Sequence, residues 1–134
     1  MTSHTITVPG PAVGKARARV TAFGTYTPAK TLAKEREIAW LAKATGCTPI
    51  VSGACQLRVA ITVEPPKGWP KGMRAEACNQ QIFPTAKPDL DNCVKLVADA
   101  LNGIAWLDDS QVVQVIATKL FGPVAKTEIS WGHA

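Results

Sequence analysis

The chain has 134 residues, 46% hydrophobic and 19% charged, which fits one domain over residues 1–134 and excludes a multidomain machine or wholesale disorder. No stretch approaches the roughly 18 apolar residues of a membrane span, and Met1-Thr2-Ser3-His4 lacks the basic-then-apolar order of a secretory signal, so an intracellular setting is expected. The net charge of +5 is N-terminal: residues 1–34 carry Lys15, Arg17, Arg19, Lys30 and Lys34 with no acid, whereas residues 35–134 hold ten basic and ten acidic groups.

Residues 6–8 read as a short strand closed by Pro9-Gly10-Pro11. From Lys15 to Val20 cations alternate with small apolar residues, so on a strand Lys15, Arg17 and Arg19 share one face. Residues 17–27 read as a hairpin or an extended loop. Thr31 is the expected N-cap of a helix to about residue 44, with Gly46 beyond its end. Residues 56–63 alternate Leu57, Val59, Ile61 and Val63 with Arg58, Ala60 and Thr62, the pattern of a half-buried strand.

Residues 64–87 follow, with four prolines and two glycines, a loop of a length that usually serves function, with room for a short helix at 71–80. It gathers Lys67, Lys71, Arg74 and Lys87 around Trp69. Asp91 is the expected cap of a second main helix to about residue 102, ended by Gly103, with Val94, Val97, Ala98 and Leu101 as its buried side. After an apolar run at 104–107 and a turn at 108–110 come strands at 112–120 and 126–131. The elements predict an α+β fold: one mixed sheet with two main helices.

The chemistry of the chain is narrowed by what it lacks. Its histidines, His4 and His133, lie at opposite ends, and Cys47, Cys55, Cys78 and Cys93 form no C-x-x-C pair. Zinc binding and His-dependent nucleophilic catalysis are therefore disfavoured, and the thiols are expected to be reduced. The five aspartates, in contrast, all fall within 21 residues: Asp89, Asp91, Asp99, Asp108 and Asp109. Asp91, Lys95 and Asp99 repeat at i, i+4 and i+8. The run after the helix is long enough to turn back along it, which predicts that Asp108 and Asp109 return toward Asp89 and Asp91. Clustered carboxylates repel unless a cation compensates, and hard oxygen ligands of this kind suit Mg²⁺, with Mn²⁺ able to substitute. Such an ion serves phosphoryl transfer, with Lys95 as a further cation.

Lys87-Pro88-Asp89-Leu90-Asp91-Asn92, then Lys95, Asp99-Ala100-Leu101, and Trp106-Leu107-Asp108-Asp109-Ser110-Gln111-Val112 closely resemble the signature of the RusA family of Holliday junction resolvases. The early Pro-Gly-Pro, the Lys-x-Arg-x-Arg stretch, Thr25-Tyr26-Thr27-Pro28 and a Pro-x-x-Trp loop extend the likeness; Ala18 stands where the family often has proline. The resemblance implies a homodimeric, metal-dependent endonuclease that nicks two opposed strands of a four-way DNA junction in a bacterial cell or a phage-infected host, leaving 5′-phosphate and 3′-hydroxyl ends. It implies that Asp89, Asp91 and Asp109 are the catalytic, metal-binding acids and Lys95 the active-site lysine, with Asp108 orienting the third acid and Asp99 a structural partner of Lys95. Lys15, Arg17 and Arg19 are the first expected DNA contacts, and Lys67, Lys71, Arg74 and Trp69 the second. Tyr26, Trp40, Trp106 and Trp131 are assigned to packing or to the dimer interface. Two alternatives stand beside this: a metal nuclease for other branched or flap DNA, and a non-catalytic basic DNA-binding module whose acids are structural.

Overall fold

The computed structural model describes residues 3–16, 19–22, 24–26 and 28–134, and in the 19–26 segment the side chains of Ala22 and Gly24 alone. In chain order the elements are β1 (His4–Pro9), β2 (Arg19–Thr21), β3 (Gly24–Tyr26), α1 (Ala29–Ala44), β4 (Cys55–Val63), α2 (Lys71–Cys78), α3 (Leu90–Leu101), a short 3-10 helix (Asp109–Gln111), β5 (Val112–Phe121) and β6 (Lys126–His133). The main sheet has the order β1-β6-β4-β5. β6 lies antiparallel to both β1 and β4, whereas β5 runs parallel to β4. A parallel pair needs a long crossover, and residues 64–111 supply it together with α2 and α3. The fold is the expected α+β arrangement with a mixed sheet, and α2 makes a third helix beside the two main ones. β2 and β3 pair antiparallel as the expected hairpin.

Alternation decides which face of the sheet is covered. On β4, Cys55, Leu57, Val59 and Ile61 are buried while Arg58 and Ala60 are exposed, and Ile6, Val8, Ile129 and Trp131 continue the buried side onto β1 and β6. Ile38 and Ala42 of α1 and Leu96, Val97 and Leu101 of α3 close the same cluster. Each large side chain so buried contributes about 1.5–3 kcal/mol. Trp106 and Trp131 belong to this core, whereas Trp40 is 70% exposed and lies outside it.

Two helix starts differ from expectation. α1 begins at Ala29 behind Pro28, and Thr31 is buried inside its first turn, where its hydroxyl accepts the Ala16 N–H at 3.3 Å. Thr31 therefore ties the N-terminal segment to α1 and does not cap the helix. Asp89, not Asp91, occupies the N-cap position of α3, with Asp91 in the first turn. The chain leaves α3 through Gly103, whose φ of +80° is the left-handed value that ends a helix without strain only in glycine.

Candidate active site

The start of α3 gathers the first two acids. Asp89 holds extended backbone angles and makes no side-chain cap hydrogen bond; its carboxylate instead takes the Lys87 ammonium at 2.8 Å on Oδ1 and 2.9 Å on Oδ2. That hydrogen bond, then the charge of Asp89 and the more distant charge of Asp91, raise the Lys87 pKa against a small opposing effect of burial. Asp91 is exposed in the first turn, where the helix dipole favours an anion. Behind the pair, Lys119 of β5 donates to the Ala86 and Pro88 carbonyls at 2.9 and 3.0 Å and so fastens the segment that carries Asp89. Burial pushes the Cys93 thiol up; Lys119 opposes this, while Asp89 and Asp91 add to it, so all four groups share one electrostatic neighbourhood.

Asp108 and Asp109 occupy a separate, tightly specified turn. Asp108 caps the 3-10 helix in a capping box: its carboxylate accepts the Ser110 hydroxyl at 2.5 Å, and Gln111 Oε1 accepts the N–H groups of Leu107 and Asp108, each at 3.0 Å. The hydrogen bond from Ser110 is the main reason that the Asp108 pKa lies below the usual carboxylate value. Gln111 Nε2 donates to the Ile50 and Gly53 carbonyls, which anchors the turn to the loop before β4. Asp108 is thus a backbone cap, and Asp109 is the exposed acid presented by the turn it fixes.

The expected return of this turn toward Asp89 does not occur within the chain. Residues 102–106 wrap the C-terminal end of α3, with Ala105 N–H on the Leu101 carbonyl and Gly103 N–H on that of Trp106. Leu107 then bonds to Ile50, and β5 begins three residues after Asp109. Asp89 and Asp109 therefore sit at opposite ends of α3, which is about 18 Å long at 1.5 Å per residue. Along β5, Val112 lies about 23 Å from Lys119. Oxygens on one Mg²⁺ lie about 2.1 Å from the ion, a reach that cannot join the two ends. Consistently, among the described residues no three His, Cys, Asp or Glu side chains cluster as metal ligands.

The cations distribute unevenly. Lys95 is exposed between the two ends of α3, with no carboxylate in ion-pair reach among the described residues. Asp99, expected as its partner, pairs instead with Lys15 at 3.2 Å. A lysine four residues before an acid is the weaker helical orientation, and Lys15 also bonds Glu35. Burial works to lower the Lys15 pKa, but the hydrogen bonds to Glu35 and Asp99 outweigh it and leave it raised. Lys15 is not in a strand, and its ammonium is engaged inside the protein; its backbone N–H bonds the Asn92 carbonyl at 3.0 Å, and a Cβ on Gly14 would come to 3.3 Å of Asn92. The basic stretch thus starts against the first turn of α3. Arg17 lies outside the described residues, and Arg19 lies on β2. Lys67 and Lys71 are exposed and Arg74 is half-buried, while Trp69 packs edge-on against Phe121 at 5.4 Å. That contact makes Trp69 an anchor for its loop.

Three residues carry roles that the sequence did not assign: Lys87, counted there only with the basic loop and the family signature, Gln111, seen only within that signature, and Lys119. Asp108-x-x-Gln111 has the spacing of a capping box, and Lys119 is a half-buried charge on β5, the two signals that could have found them. The family model for the endodeoxyribonuclease RusA matches residues 9–130, nearly the whole chain. The chain belongs to that family. It is also 33% identical over 104 residues to the Bacillus subtilis (strain 168) protein named "Uncharacterized protein YqaN", covering 76% of this chain and 73% of that one. Membership of the RusA family makes the chain an endodeoxyribonuclease acting on DNA. No helix among the described residues is long and apolar enough to cross a membrane.

Proposed function

We propose that this RusA-family chain acts as a homodimer, uses Mg²⁺ with Mn²⁺ able to replace it, and resolves four-way DNA junctions by paired symmetric nicks in recombination and repair. The observation that carries the reading is the pair Asp89 and Asp91 at the start of α3, with the N-terminal basic stretch seated against the same turn. Two carboxylates beside space open to phosphate and water are what Mg²⁺ usually takes from a protein. Asp89 and Asp91 would hold the ion from one copy and Asp109 from the second, because one copy cannot bring all three together. When bound, the ion supplies charge neutralisation and an activated water for phosphodiester hydrolysis.

The chain's own groups prepare the site. Lys87 pairs with the Asp89 carboxylate, and Lys119 holds its backbone. Lys95, one turn beyond Asp91, is free to meet the scissile phosphate. Arg17, Arg19, Lys67, Lys71 and Arg74 neutralise the flanking backbone phosphates, and Lys15 positions the stretch that presents the two arginines. A two-fold dimer doubles the charge of +5 and gives two equivalent sites, matching a junction's own symmetry.

Cleavage of four-way, three-way, flap and linear duplexes of shared sequence in Mg²⁺ tests the assignment. Preference for the four-way junction by about tenfold or more, equivalent to 1.4 kcal/mol, with opposed nicks, is the expected result. Equal cutting of the linear duplex contradicts it.

A further inference from the structure

The outward face of α1 is opposite in character to its buried one. The helix buries Thr31, Ile38 and Ala42. On the opposite side, at spacings of i, i+4, i+7, i+11 and i+14, Ala29, Ala33, Arg36, Trp40 and Lys43 are all exposed. The two acids of α1 are kept off this stripe: Glu35 takes Lys15, which also reaches Asp99 of α3, and Glu37 pairs with Lys34 at 2.7 Å. Arg36 and Lys43 have no carboxylate in ion-pair reach among the described residues. What remains is a largely exposed indole with one unpaired cation a turn before it and another a turn after.

Charge decides what such a face can take. An indole between two cations suits a polyanion that carries apolar surface between its charges, as a DNA strand carries deoxyribose between phosphates. A second copy of the chain does not suit it, because two-fold contact would set Arg36 and Lys43 against the same cations. Position points the same way. Lys15 N–H bonds the Asn92 carbonyl in the first turn of α3, and Ala16 N–H bonds the Thr31 hydroxyl in the first turn of α1. At the other end the Cys47 thiol, just beyond α1, lies 3.4 Å from the Ala42 carbonyl and 3.7 Å from that of Ile104, just beyond α3. The two helices therefore run side by side in one direction, and the stripe shares the outer surface of their layer with Asp91 and Lys95, both exposed on α3. Packed helices lie about 8–10 Å apart, less than the roughly 12 Å width of a major groove, so a duplex that reaches Lys95 also covers α1.

We infer that the outward face of α1 is a further DNA-contact surface, on which Arg36 and Lys43 meet backbone phosphates of a duplex arm and Trp40 lies against the sugars between them. The inference rests on the nuclease reading above and adds a surface to it. Arg36 and Lys43 are about 10 Å apart along the helix at 1.5 Å per residue, and a DNA strand presents one phosphate per about 3.4 Å of its axis. Two phosphates of one strand thus come within reach. Contacts to phosphate and sugar carry no base preference, so the surface holds an arm of any sequence.

Fluorescence reads this surface, because Trp106 and Trp131 are buried and Trp69 packs on Phe121, leaving Trp40 as the indole open to solvent. In buffer without divalent metal, acrylamide is expected to quench the parental chain and to quench Trp40→Phe much less. A four-way junction is expected to protect the parental chain to the level of that variant. The double variant Arg36→Ala, Lys43→Ala is expected to keep its far-ultraviolet circular dichroism while the slope of log K against log salt becomes shallower by about 1.8, at 0.9 per phosphate. Lys126→Ala, on the sheet face away from the helices by alternation with buried Thr127, is expected to leave the slope unchanged. A parental chain that binds the junction while Trp40 stays open to acrylamide, or a double variant with the parental slope, overturns this surface alone. Trp40 already shielded in the free chain overturns it too and assigns the stripe to a protein contact. A parental chain that binds no junction overturns both this surface and the nuclease reading.

Discussion

Asp89→Asn is expected to abolish junction cleavage in Mg²⁺ while leaving junction binding intact. The amide has the shape of the carboxylate, so α3 starts as before, but it carries no charge and is a poor ligand for a hard cation. Metal stabilisation of a phosphoryl transition state amounts to several kcal/mol, and at 1.36 kcal/mol per tenfold the rate falls by about 10³ or more. Affinity should hold or rise slightly, because it comes from lysine and arginine contacts to phosphate and the substitution removes a negative charge. The loss of the Lys87 pair contributes little to folding, since both groups are substantially exposed. Single-turnover cleavage with a parallel binding titration gives the answer. Cutting at the parental rate removes Asp89 from the chemistry and moves the catalytic acids elsewhere in the chain.

Trp106→Ala is expected to be the most destabilising single substitution near the site. Trp106 is fully buried where the turn after α3 meets Ile50, with bridges to both Ile50 and Asn102. Truncation of a buried tryptophan costs about 3–5 kcal/mol, a large share of the 5–15 kcal/mol that holds a typical domain together. A melting temperature lower by about 10–20 °C follows. The turn bearing Asp108 and Asp109 hangs on this residue, so cleavage should fall further than the folded fraction at 25 °C explains. Trp106→Phe should be much milder: the indole N–H is buried without a hydrogen-bond partner among the described residues, and phenylalanine removes that donor. A Trp106→Ala chain melting within about 2 °C of the parent would show that the turn is anchored elsewhere.

How far the fold could be read beforehand follows from which signals are local. Alternation on residues 56–63 and helical spacing through Val94, Val97 and Leu101 report a neighbour within one or two turns, and those elements formed where expected. The start of α1 was misplaced because Thr31, a good capping residue by type, is claimed by the Ala16 N–H, a contact fifteen residues away that no local rule encodes. Asp99 was misassigned for the same reason: its partner Lys15 arrives from the N-terminal segment. The acids themselves were legible as a set, from their concentration and their resemblance to a family signature. Their separation was not, because it depends on residues 102–106 curling around the end of α3 rather than running back beside it.

The shared active site is tested most directly by mixing two inactive variants. Asp89→Asn and Asp109→Asn are each prepared as homodimers, confirmed inactive, and allowed to exchange subunits before addition of a four-way junction and Mg²⁺. If each site draws Asp89 and Asp91 from one copy and Asp109 from the other, every mixed dimer contains one intact site and one doubly altered site. Statistical exchange makes half of the dimers mixed, so about one quarter of the parental number of sites returns. The account predicts that activity reappears on mixing, as single nicks rather than paired ones. Continued inactivity, with exchange verified by mass or by label, contradicts it, because sites confined to one subunit would leave every subunit defective.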